Sequence, residues 1–133
     1  LLTDSTRQLL IDEGFSYHMD DYSDDLPFWN DPDKRDIVIM PYALDSNDMK
    51  MWTDPAMTPA HWLDYAVDTF DWLYKEGTEG DPKMMSLGVH LRIIGRPGRI
   101  GYFEKFLAHA AGKADVWVAT RKEIADHFAN TTA

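Results

Sequence analysis

Apolar residues recur at helical spacing in four stretches of the chain. Thr3 is placed to cap the first, which runs through Leu9, Leu10 and Glu13 and is predicted to stop at Gly14. Thr58-Pro59 opens the second, because proline is pre-organised for the first helical position. Trp62, Ala66, Phe70 and Leu73 then share one side, Asp64, Asp68 and Asp71 take the other, and Gly77 is the expected end. The third helix starts after Pro97, turns Ile100, Phe103, Phe106, Leu107 and Ala110 inward, and closes at Gly112. Thr120-Arg121-Lys122-Glu123 is a capping box ahead of the fourth, whose apolar side is Ile124 and Phe128.

Four other stretches read as strands. Phe15-Ser16-Tyr17-His18-Met19 alternates with a period of two. Ile37-Val38-Ile39-Met40 is continuously apolar, as is much of Met84–Val89, and Val116-Trp117-Val118 is the last. Continuous apolar runs suit strands covered on both faces. The late order of helix, strand, helix, strand, helix predicts an α/β fold with parallel strands alternating with helices. No repeat, low-complexity tract or flexible linker interrupts residues 1–133, which read as a single segment. A sheet of three or four parallel strands in so short a chain leaves edges and part of one face unpaired. Together with a start at Leu1-Leu2-Thr3-Asp4 rather than an initiator methionine, this favours one part of a larger α/β barrel over a self-sufficient domain.

Composition narrows the chemistry. A formal charge of −10 opposes binding to nucleic acid or an anionic membrane, which need a basic footprint. Five Trp, six Tyr and six Phe carry more ring area than a solvated tail would, so the chain is globular. With no cysteine, disulfides, thiolate zinc sites and a cysteine nucleophile are excluded. No apolar run approaches the ~20 residues of a membrane span, and no secretory signal is present; a cytoplasmic location and a homo-oligomer are expected.

The most informative stretch runs from Met84 to Arg99. An apolar strand delivers His90 at its C-terminal end, where barrels and doubly wound sheets place their chemistry. An imidazole there can protonate a leaving nitrogen, since its ordinary pKa lies near neutrality; it reads equally as a hydrogen-bonded structural histidine. Arg92, Arg96 and Arg99 can clamp a carboxylate or a urea-like group through their planar forks. For Arg96 and Arg99, in a loop leading into a helix, pairing with the surplus carboxylates of the chain is the preferred reading. Asp45, Asn47 and Asp48 follow the Ile37–Met40 strand and can orient a polar substrate, although such residues more often make turns. Their spacing lacks the glycine and distal glutamate of an EF-hand. Asp20, Asp21, Asp24 and Asp25 read as a solvated acidic face, and Phe28 and Trp29 behind Pro27 as a lid or subsite wall. His61, His109 and His127 are given no chemistry. No nucleophile elbow, phosphate loop, dinucleotide fingerprint or His-x-x-x-His pair occurs.

Asp20–Trp29 (DDYSDDLPFW), Pro41–Met49 (PYALDSNDM), Lys83–Pro97 (KMMSLGVHLRIIGRP) and Val116–Ala125 (VWVATRKEIA) occur in this order. In that order they resemble the C-terminal half of the polysaccharide-deacetylase (NodB-homology) superfamily, and within it the cofactor-independent allantoinase-like branch. The resemblance runs from about Ser5 to about His127. It implies the C-terminal half of a deformed (β/α) barrel that hydrolyses a non-peptide carbon–nitrogen bond. His90 matches the family's strand-end histidine, the general acid toward the leaving group in metal-dependent members. Asp45–Asp48 and Asp20–Trp29 match segments that line the pocket, which makes Asp45, Asn47, Asp48, Arg92 and Trp29 candidate substrate contacts. The family's Asp-Asp motif and His-x-x-x-His metal pair lie upstream and are not in this chain. The implied partner is therefore an N-terminal half of the same domain, and a divalent metal such as zinc would belong to the complete enzyme rather than to these residues. Small ureides and N-acetylated sugars are the implied substrates, the wording of the motifs favouring the ureide although Phe28, Trp29 and Trp52 can stack on a sugar ring. A metal-dependent polysaccharide or peptidoglycan N-deacetylase and a non-catalytic binding module are the alternatives.

Overall fold

The structure is a computed structural model that describes residues 3–132, so the Leu1-Leu2 start lies outside the described residues. The fold is mixed α/β, and the chain divides into two compact units, Leu1–Tyr42 with Val118–Ala133 and Ala43–Trp117.

In the first unit the apolar run Ile37–Met40 is buried throughout and supplies the middle strand of a three-stranded sheet. That strand, β3 (Val38–Ile39), pairs in parallel with β1 (Tyr17–His18), Tyr17 opposite Val38. On its other edge it pairs antiparallel with β2 (Phe28–Trp29), Trp29 opposite Val38. Helix α1 (Thr6–Asp12) precedes the sheet and has Ser5 at its N-cap. Thr3 lies two residues earlier and bonds Thr6 instead of capping, a correction to the sequence reading. Gly14 adopts φ +78°, a left-handed turn that costs glycine little and turns the chain toward β1. Arg7 ties this unit together, donating from Nη2 to Asp21 and from Nη1 to Asn30, each at 2.9 Å. Hydrogen bonds from Ser23, and then the Arg7 guanidinium, hold the Asp21 carboxyl below its usual range. Asp20–Trp29 is thus anchored at Asp21 rather than being wholly a solvated acidic run.

Helix α5 (Arg121–Thr131) begins at the capping box read from the sequence. Thr120 accepts from the Glu123 backbone, and the Glu123 carboxylate accepts from the Thr120 backbone at 2.7 Å. Ala125 is its buried residue, and Phe128 packs against the Trp29 ring at 5.8 Å.

The second unit is helical. Helix α2 (Pro59–Thr78) is capped by Thr58 and buries Trp62, Ala66 and Phe70. Short α3 (Leu91–Ile94) buries Ile93 and Ile94, and α4 (Pro97–Ala111) packs Phe106 edge-on against Phe70. Gly95 is the C-cap of α3, at a place where a Cβ would collide with the Leu91 carbonyl oxygen. One cluster gathers Met51, Trp62, Ile93 and Ile94, and a second gathers Ala66, Phe70 and Phe106.

Trp62 is fully buried, and its Nε1 donates to the Ser46 carbonyl at 2.8 Å. Trp62→Phe keeps most of the ring and leaves that carbonyl without its donor, so thermal unfolding is expected to show a loss of about 1–2 kcal/mol. A stability equal to that of the parent chain would show that the bond adds nothing.

His109 Nε2 and Asp71 Oδ1, 2.7 Å apart, join α4 to α2. The hydrogen bond with His109, followed by the charges of His109 and Lys113, holds the Asp71 carboxyl below its ordinary 3.8. A carboxyl depressed on folding stabilises fully above that ordinary value and loses its contribution as pH falls through the lower folded value. Asp71 is 43% exposed, so the effect is at most ~1 kcal/mol. The gap in melting temperature between the parent chain and Asp71→Asn is expected to be present at pH 6 and to close in acid. A gap constant with pH would remove the ion pair as its cause.

Four further sequence readings are corrected. Met84–Val89 and Val116–Val118 join no strand ladder among the described residues, whereas Phe28–Trp29 does. A strand needs a neighbouring backbone. Met85, Leu87 and Val116 instead spend their side chains on the helical cores. The ladder formed is also not purely parallel, since β2 runs against β3. Helix α2 passes through Gly77 to Thr78, and Gly80 at φ +100° makes the turn beyond it. On α4, Phe103 and Phe106 face the core while Ile100 and Leu107 are exposed at 46% and 50%. Only the side of α4 turned to α2 and α3 is covered within this unit, which leaves the other apolar residues outward.

A candidate active site around His90 and Asp48

Asn47 and Asp48 begin a 3₁₀ turn, Asp48–Met51, and Asn47 caps it by accepting from the Met49 backbone at 2.9 Å. The turn drives the Asp48 side chain inward, where the residue is fully buried. A buried carboxylate must have its oxygens satisfied. Oδ2 accepts from the backbone N–H of His90 at 2.7 Å and of Ile94 at 3.2 Å. Oδ1 lies 2.7 Å from His90 Nδ1. The backbone completes the clasp, Asp48 donating to the Gly88 carbonyl at 3.0 Å.

His90 is the N-cap residue of α3, in extended conformation, and its side chain is 32% exposed. A carboxylate can only accept, so Nδ1 is the donor in this pair and Nε2 is the nitrogen left for a substrate. The ring is held on one edge and open on the other. This arrangement suits proton transfer at Nε2, because a ring fixed by a second group keeps its tautomer and orientation.

The remaining sequence candidates lie around this pair or elsewhere. Asp45 is exposed and accepts from the Tyr65 hydroxyl at 2.8 Å, which raises the phenol above its ordinary value. Asn47 is buried with its Oδ1 on the Met49 backbone. Asp48 stands behind the imidazole with both oxygens engaged. Arg92 is exposed, two residues past His90, and its Nη2 lies 4.0 Å from Met49 Sδ. Trp29 belongs to the other compact unit, where its Nε1 donates to Thr132 Oγ1 at 3.2 Å. Arg96 and Arg99 do not pair with carboxylates, contrary to the sequence reading: none of the ion pairs among the described residues includes Arg92, Arg96 or Arg99.

The Asp48–His90 pairing escaped the sequence reading because its members are 42 residues apart. Local spacing carries no signal for such a contact. Among the described residues no group of three or more His, Asp or Glu side chains is placed to hold a metal ion. No helix among them is long and apolar enough to cross a membrane.

No family profile matches the chain. A Schizosaccharomyces pombe protein with the provisional name of polysaccharide deacetylase is 44% identical over 119 residues, which are 82% of this chain and 37% of that protein. The crystal structure of PuuE allantoinase superposes with a TM-score of 0.88 at 39% identity, over 98% of this chain and 44% of that one. A Pseudomonas aeruginosa PAO1 structure, provisionally named a polysaccharide deacetylase, matches at a TM-score of 0.88 and 39% identity, over 96% of this chain and 43% of that one. The chain thus spans less than half the length of each of these relatives. Likeness in sequence and in fold over nearly all of its own residues places the chain in the polysaccharide-deacetylase (NodB-homology) superfamily.

Proposed function

We propose that residues 1–133 form one segment, the C-terminal part, of a hydrolase domain acting on non-peptide carbon–nitrogen bonds, with His90 as general acid and Asp48 as its positioning residue. The observation that carries this reading is the buried Asp48 carboxylate 2.7 Å from Nδ1 of a part-exposed His90. Water adds to the carbonyl carbon and gives its proton to the group that activates it, and the carbon–nitrogen bond breaks. His90, acting in its doubly protonated form with Nδ1–H on the Asp48 carboxylate, delivers its Nε2 proton to the departing nitrogen. The group that activates the water belongs to the upstream half of the same domain. Support for that second half comes from exposed apolar side chains such as Leu91 at 91% and Val118 at 85%, and from the share of the relatives that this chain covers. Asp48, offered by the sequence as a substrate contact, is reassigned to hold His90. Asp45 and Arg92 are retained as contacts to a polar substrate.

A small ureide or cyclic amide is the preferred substrate, supported by the likeness to an allantoinase across almost the whole chain. The second reading, an N-deacetylase of polysaccharide or peptidoglycan, is favoured by the names of the other relatives. Assay of the complete protein on allantoin and on N-acetylglucosamine oligomers, with and without chelator, separates them. Chelator-resistant opening of the ureide supports the first, and chelator-sensitive acetate release replaces it with the second. Binding of either ligand without turnover would leave a non-catalytic binding module.

A further inference from the structure

The second unit carries an open depression of about 700 Å³ lined by Trp52, Pro59, Arg92, Arg96, Gly98 and Arg99. Its lining does not include His90. Three of the chain's thirteen basic residues converge here in a molecule of net charge −10, and none of the three forms an ion pair among the described residues. That is unusual for a chain with ten surplus carboxylates within reach of folding, because uncompensated guanidinium groups side by side repel one another. Arg99 Nη1 is steadied by the Ile93 carbonyl at 3.3 Å, and Arg92 rests against Met49. Arg96 stands at the N-cap of α4 and makes no side-chain cap, and the first turn of that helix holds no acidic residue. Gly98 leaves open space where a Cβ would stand, so no side chain fills the floor between the arginines. Trp52, 52% exposed, forms an aromatic wall.

We infer that the Trp52–Arg92–Arg96–Arg99 depression binds an oxyanion, a carboxylate or phosphate group taken in the forks of the guanidinium groups while any planar part of the ligand lies on Trp52. Forked, charge-assisted hydrogen bonds give arginine its advantage over lysine at such groups. Arg92 is shared with the proposed substrate contacts, but such binding requires no hydrolysis, so Arg96 and Arg99 test it apart from the role given to His90.

The test is a titration of the complete ¹⁵N-labelled protein with inorganic phosphate and with succinate, at constant ionic strength set by chloride. The arginine Nε–H resonances of Arg92, Arg96 and Arg99 are expected to shift saturably with at least one of the two anions. Saturation by succinate alone identifies a carboxylate ligand, and by phosphate alone a phosphorylated one. Arg96→Gln is expected to weaken binding about tenfold, the factor that one charge-assisted contact is worth. Because Arg96 is exposed and its side chain forms no hydrogen bond or ion pair among the described residues, that variant should melt like the parent chain. Linear, non-saturating shifts with both anions, or equal affinity in a folded Arg96→Gln protein, would overturn the assignment. So would saturation by chloride with the same affinity.

Discussion

His90→Ala in the complete protein is expected to lower kcat by about 10²–10⁴-fold while KM changes little, the range for a positioned acid lost from a transition state. The reasoning rests on the ring's two edges. Nδ1 is engaged by Asp48 at 2.7 Å, and the side chain is still 32% exposed, so Nε2 can reach a ligand. A departing nitrogen without a proton is a poor leaving group, and no other histidine of the second unit is placed to supply one: His109 is bound to Asp71, and His61 is exposed on α2. Steady-state kinetics on whichever substrate the complete protein turns over is the measurement. Turnover unchanged by the substitution would remove His90 from the mechanism.

The second large effect is expected at Asp48. Asp48→Ala strips the acceptor from the backbone N–H of His90, takes one of two acceptors from that of Ile94, which keeps the His90 carbonyl at 2.9 Å, and empties a fully buried side-chain volume. One orphaned donor costs about 1–3 kcal/mol and the emptied volume adds to it, so a total near 3 kcal/mol and a fall in melting temperature of about 10 °C are expected. Such a loss alone would only mark Asp48 as structural. Asp48→Asn separates the roles, since it keeps the shape and one acceptor oxygen but exchanges the other for an amide donor. The folded Asp48→Asn protein is expected to lose most of its kcat with KM nearly retained, and the ¹⁵N shifts of the His90 ring should report a changed tautomer. A folded variant with the parent ring shifts and parent kcat would refute the positioning role.

Much of the architecture was legible in the chain because its cues are local. The Thr58-Pro59 start of α2, the Thr120–Glu123 capping box and the buried run Ile37–Met40 each depend on residues within a few positions of one another, and each is found in the structure. Readings that depended on distant partners fared less well. Met84–Val89 has strand composition but no ladder, and Phe28–Trp29 forms one despite its loop-like surroundings, because pairing is decided by which backbone lies alongside. Ile100 and Leu107 match helical periodicity yet face outward, because periodicity ranks the sides of a helix without saying which neighbours exist to cover them.

The candidate site divides along the same line. An apolar run read as a strand, which the structure does not form, drew attention to His90, and the ordered motifs were enough to suggest the superfamily. The sequence alone therefore offered His90 as a candidate and determined the starts of α2 and α5 and the acidic character of the chain. Only the tertiary structure decided that Asp48, 42 residues away, is buried behind that imidazole, and that Arg92, Arg96 and Arg99 gather without carboxylate partners among the described residues. Burial and charge pairing are properties of groups brought together through space. Two residues far apart in the chain acquire a common environment only when the intervening segments pack.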